Sequence, residues 1–76
     1  MAENIQHQFG GHLRTIRISR GLSQEKLALL ADLDRTYISG VERGQRNISL
    51  INLGRIARAL NLPLYKLLQF DGQRDA

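Results

Sequence analysis

Residues 22–47 read Leu-Ser-Gln-Glu-Lys-Leu-Ala-Leu-Leu-Ala-Asp-Leu-Asp-Arg-Thr-Tyr-Ile-Ser-Gly-Val-Glu-Arg-Gly-Gln-Arg-Asn. Ser23 is a good N-cap, because its hydroxyl can accept from the first free N–H groups of a helix. Glu25 falls in the first turn, where the helix dipole favours a carboxylate. The helix is expected to run to about Ala31, with Leu27, Ala28 and Leu30 facing inward. Asp32-Leu33 reads as a turn. Asp34 is expected to cap a second helix from Arg35 to about Arg43, ended by Gly44. On that helix Tyr37, Ile38 and Val41 have helical spacing. Two short helices joined by a tight turn form the arrangement whose second member can enter the major groove of DNA. Gln24 opens the first helix. Ala28 falls where the two cross, and its small side chain allows close approach, with Ile38 and Val41 facing back. Each of these residues alone is common in any helical bundle.

Outward from this pair, the segment from Phe9 to Ile18 places Phe9, Leu13 and Ile16 on one helical face, with Gly21 as the left-handed residue after it. Gln45 to Ile48 is a polar, basic loop. Ser49 caps a helix in which Leu53, Ile56, Ala57 and Leu60 recur at three and four. Asn61-Leu62-Pro63 stops it, and Pro63 suits the start of a short last helix, Leu64 to about Phe70. No segment alternates with the period of a strand. The expected class is all-α, five short helices in a single domain over residues 1–76, with a core at about 9–70 and frayed termini beginning near Asp71.

With 76 residues the core is modest. The absence of cysteine excludes disulfides and thiolate metal sites and fits a cytoplasmic protein. His7 and His12 stand five apart, not the four of a helical metal pair, so no metal and no cofactor are expected. No apolar run is long enough to span a membrane, and residues 1–20 do not resemble a signal peptide. The net charge is +4 from eleven basic residues. Most of these are Arg, whose planar fork of donors matches phosphate and the guanine edge. The acidic Glu3, Asp71 and Asp75 sit in the expected tails, so the folded part is the more basic part.

On the residues quoted above, and from about Phe9 to Leu68, the chain resembles the lambda-repressor-like (Xre/Cro) helix-turn-helix family. Asp34 to Asn47 resembles the controller proteins of restriction–modification systems in particular. One departure is Asp32, where the family usually has glycine; Asp tolerates the left-handed conformation better than most residues. The resemblance implies roles by position. Arg35 and Thr36 match base-reading positions: Arg can take guanine O6 and N7 together, and the Thr methyl can meet a thymine methyl. The alternative is a solvated first turn with Arg35 paired to Asp32 or Asp34. Tyr37 either packs inside or lies against the DNA. Ser39 is either a base or phosphate donor or a solvated residue. Gly40 either lets the helix sit close to DNA or packs against another helix. Gln24, Arg43, Arg46 and Asn47 match phosphate-contacting positions, which orient a protein without reading sequence. Arg17 and Glu42 match an internal ion pair joining the first helix to the third.

One such helix reads only a few base pairs, so two copies on a palindrome are expected. Leu64, Tyr65, Leu67, Leu68 and Phe70 exceed what a small core needs. Leu67 and Leu68 are assigned to the core, and Ile51, Leu64 and Tyr65 to a homodimer patch. The function implied is a sequence-specific transcriptional regulator that binds double-stranded DNA at a promoter and blocks or recruits RNA polymerase, controlling restriction–modification genes. The alternative is a protein–protein interaction module of antitoxin or adaptor type. No paired carboxylates, Ser/His/Asp set or phosphate loop suggests an enzyme.

Overall fold

The helices follow from punctuation that recurs along the chain. The computed structural model describes residues 4–70, and within them lie α1 (Ile5–Ser19), α2 (Gln24–Ala31), α3 (Arg35–Glu42), α4 (Leu50–Ala59) and α5 (Leu64–Leu67). Asn4, Ser23 and Ser49 open α1, α2 and α4, each side chain accepting from a backbone N–H three residues on. At the other ends, Gly21, Asp32, Gly44 and Asn61 adopt left-handed φ angles of 57–77°. After each, the next N–H bonds back to a carbonyl five residues earlier: Leu22 to Arg17, Leu33 to Ala28, Gln45 to Gly40 and Leu62 to Ala57. This 6→1 bond is the Schellman motif, and it satisfies carbonyls that the helix leaves free. Asp32 takes its place in this set at φ 59° and ψ 46°, so the turn survives the departure from glycine.

The buried apolar set is Phe9, Leu13, Leu27, Ala28, Ala31, Ile38, Val41, Ile56, Ala57, Leu60 and Leu67. α3 packs against both α1 and α2, α2 also meets α4, and α5 closes on α4. α3 is thus held from two sides while its N-terminal turn faces out. No helix of the described residues is long and apolar enough to cross a membrane.

Several expectations are corrected. α1 begins at Ile5 rather than Phe9; its first turn is largely solvent-facing, so no apolar period announces it, and the Asn4 cap fixes its start. Leu30 is half exposed, and Ala31 faces the core in its place. Leu27, Ala28 and Ala31 share one narrow stripe, and close helix crossing favours small side chains there. Asp34 occupies the cap position of α3, but its side chain makes no cap hydrogen bond. α5 ends at Leu67, short of Phe70, and Leu68 is 43% exposed while Leu67 is fully buried. Leu64, assigned to a partner surface, packs against the core. The tail from Asp71, and Glu3, lie outside the described residues.

Candidate nucleic-acid interface

α3 presents Arg35 and Thr36 at its exposed first turn. Behind them Ile38 and Val41 are buried, which fixes the rotation of the helix and so the outward direction of residues 35 and 36. Among the described residues, no carboxylate lies within ion-pair distance of Arg35, and neither Asp32 nor Asp34 engages it. Its guanidinium fork is therefore available to a ligand. Ser39 is half-buried on the same helix.

Tyr37 falls between the two readings given above. Its ring is half-buried against the core, and its hydroxyl accepts a hydrogen bond from Asn52 Nδ2 at 3.1 Å. Its outer face carries Arg46, whose guanidinium carbon lies 5.2 Å from the ring centroid. Asn52 is fixed in turn by the start of α4, where its N–H donates to Ser49 Oγ. Sequence reasoning missed Asn52; an amide in the first turn of a helix gives no signal of a partner fifteen residues away. Arg43, Arg46 and Asn47 are all exposed, and Arg43 Nε donates to Gln45 Oε1 at 3.3 Å. The end of α3 and the loop after it thus present two guanidinium groups and an amide to solvent.

Gly40 is buried, and of the two readings given above the packing one is corrected. A Cβ there would stand 2.8 Å from Arg46 Cγ, so the side chain over Gly40 belongs to the following loop rather than to another helix.

The end of α3 is tied down from inside. Arg17 Nε donates to Glu42 Oε2 at 2.6 Å, Nη2 donates to Oε1 at 3.0 Å, and Nη1 donates to the Leu22 carbonyl at 2.7 Å. Both side chains are buried, at 9% and 2% exposure. Gln24 Nε2 donates to the same Glu42 Oε1 at 3.0 Å. The fork of Arg17 is thus matched to the carboxylate two-on-two, the strongest neutralising geometry available to it. Gln24, assigned to phosphate, turns one N–H inward to this pair, leaving its oxygen and second N–H. One polar cluster therefore joins α1, α2 and α3.

Away from α3, Ile51 is 72% and Tyr65 66% exposed. Leu50, which sequence reasoning did not single out, is exposed beside Ile51. No group of three or more metal-ligating side chains occurs among the described residues.

The helix-turn-helix family model matches residues 13–67. The control protein C.BamHI of Bacillus amyloliquefaciens is 51% identical over 71 residues, covering 92% of this chain and 88% of that protein. The crystal structure of the restriction–modification controller C.AhdI from Aeromonas hydrophila superposes with a TM-score of 0.80 at 52% identity, covering 82% of this chain and 94% of that one. The restriction–modification controller C.Esp1396I, solved as a tetramer in complex with its natural 35 base-pair operator, matches with a TM-score of 0.78 at 34% identity over 84% of each chain.

Proposed function

The chain belongs to the Xre/Cro-like helix-turn-helix family, and from that membership we propose that it is a transcriptional regulator binding operator DNA as a dimer, in the manner of restriction–modification controllers. The observation that carries the reading is the outward, unpaired Arg35-Thr36 turn on a helix held from two sides. In this reading Arg35 and Thr36 enter the major groove and read base edges. Arg43, Arg46 and Asn47 contact phosphates on the flank, and Tyr37 braces Arg46. The residual polar atoms of Gln24 serve the backbone at the start of α2.

One protomer measures 35 × 23 × 22 Å. Half-sites one helical turn apart have centres about 34 Å from each other. One copy carries a single reading helix, α3, and so serves one half-site; two copies side by side bring one α3 to each. The exposed apolar surface of Ile51 and Tyr65, extended by Leu50, supplies the seam, and Leu64 supports it from within. Occupancy of a promoter operator then blocks RNA polymerase or recruits it. Control of restriction–modification genes rests on the likeness to C.BamHI and C.AhdI. No step calls for a cofactor or enzymatic chemistry, and the place of action is the cytoplasm.

Selection of binding sites from random duplex DNA tests the reading directly. A palindrome is expected; recovery of no sequence preference would overturn it. On the selected duplex, Arg35→Ala is expected to lose about 1–3 kcal/mol of discrimination against random DNA. Equal losses on both duplexes would move Arg35 among the phosphate contacts. Ile51→Glu is expected to sediment as a monomer with unchanged helix content, because Ile51 is 72% exposed in the protomer. An intact dimer would remove Ile51 from the seam.

A further inference from the structure

Gly40 lies in the second turn of α3, and the space above its Cα is filled by Arg46. An ideal Cβ at residue 40 stands 2.8 Å from Arg46 Cγ and 3.6 Å from both Cδ and Nε. Three consecutive atoms of the arginine stem therefore run over the glycine. The guanidinium beyond them lies over the Tyr37 ring, and Tyr37 is held in place by Asn52. Residues 37 and 40 are three apart, one above the other on α3, so they form a single track for the arginine stem. An arginine on a surface loop ordinarily samples many rotamers and loses that freedom on binding.

Resting on the reading of Arg46 as a phosphate contact, we propose that Gly40 is a positioning residue: by lacking a side chain it lets Arg46 lie along α3 onto Tyr37, which aims and pre-orders the guanidinium for the DNA backbone. A Cβ at position 40 strikes Cγ, close to the backbone, where no rotation of the far end relieves it. Arg46 must then change its first side-chain torsions and leave the ring. The charge is retained but its aim is lost.

The sign of the effect separates this role from a packing role. Alanine favours a helix interior over glycine, and the three atoms nearest the new methyl all belong to the Arg46 side chain. Gly40→Ala is therefore expected to melt at or above the wild-type temperature while binding DNA less tightly. The experiment is a double-mutant cycle of wild type, Gly40→Ala, Arg46→Ala and the double variant. Each binds the duplex recovered by selection with the wild-type protein, followed by anisotropy across a salt series, with melting temperatures measured alongside.

Arg46→Ala is expected to weaken binding about tenfold, the worth of one charge-assisted hydrogen bond, and to reduce the salt slope by about one. Gly40→Ala is expected to lose a similar factor in the presence of Arg46 and less than twofold in its absence. Full additivity of the two losses, or Gly40→Ala binding as wild type, overturns the proposal. So does a lowered melting temperature for Gly40→Ala that persists when Arg46 is alanine, since the methyl would then be striking something else. If Arg46→Ala itself leaves affinity and slope unchanged, the phosphate reading of Arg46 fails instead, and the two failures are distinct.

Discussion

Glu42→Ala is expected to destabilise the protein by about 3–5 kcal/mol, the range for removing one partner of a buried ion pair. A chain of this length has a total stability on the order of 4–11 kcal/mol. The variant should therefore be close to unfolding, with its melting temperature lowered by at least roughly 12 °C. The large effect comes less from the attraction lost than from what remains. Arg17 cannot discard its charge, and it is 8% exposed. Without Glu42 it keeps only the Leu22 carbonyl for its Nη1, and Gln24 loses the acceptor for its amide. Thermal melting followed by circular dichroism measures the loss. A change under about 1 kcal/mol would mean that water reaches Arg17 and that the cluster is not sealed.

Replacing both partners, Arg17→Met with Glu42→Leu, is expected to do far less harm than Glu42→Ala alone, since no charge is then left in the interior. What the double variant should lose is definition. The pair ties α1 to the last residue of α3, and its two-on-two geometry fixes α3 about its own axis more tightly than apolar contact does. Retained stability with relaxed sequence discrimination on the selected duplex is the expected result.

How much of this was legible in the sequence depended on whether the signal was local. Ser23, Ser49, Gly21 and Gly44 act on their own chain neighbours, and they marked helix ends correctly. Asp32 was readable for the same reason. Leu30 and Ala31 were not separable by hydrophobicity: Leu is the more apolar, but the crossing with α3 selects the smaller residue at the stripe. Leu67 and Leu68 raised the same difficulty in a four-residue helix, too short to show a period. At the candidate interface, the exposure of Arg35 and Thr36 follows from their position on α3. The Arg17–Glu42 pair was accessible only through family resemblance, because twenty-five residues of sequence carry no trace of a salt bridge. The Asn52–Tyr37 bond and the Arg46 stem over Gly40 are likewise products of packing between elements.

Gly10 is the clearest case of information the sequence did not display, and it yields a prediction in which two adjacent, identical residues behave oppositely. Gly10 and Gly11 both lie inside α1, where each costs helix stability relative to alanine, by up to about 1 kcal/mol. From sequence alone both are candidates for a stabilising Gly→Ala change. In the fold, Gly11 is exposed and a Cβ there meets nothing within 4 Å. A Cβ on Gly10 would strike the backbone carbonyl oxygens of Val41 and Glu42 and stand 2.8 Å from the Glu42 carbonyl carbon. Backbone atoms cannot rotate away as a side chain can, so α1 and α3 must separate. Overpacking of this kind costs about 1–3 kcal/mol and at times more, and here it outweighs the gain in helix propensity. It also pulls Arg17 from Glu42, because the pair bridges the same two helices. Gly10→Ala is accordingly expected to lower stability by about 2–3 kcal/mol, and Gly11→Ala to raise it by a few tenths to about 1 kcal/mol. Denaturant titration of the two variants beside wild type decides the matter. Effects of the same sign would show that α1 and α3 do not approach at Gly10, and would remove the close contact that sets the C-terminal half of α3 against α1.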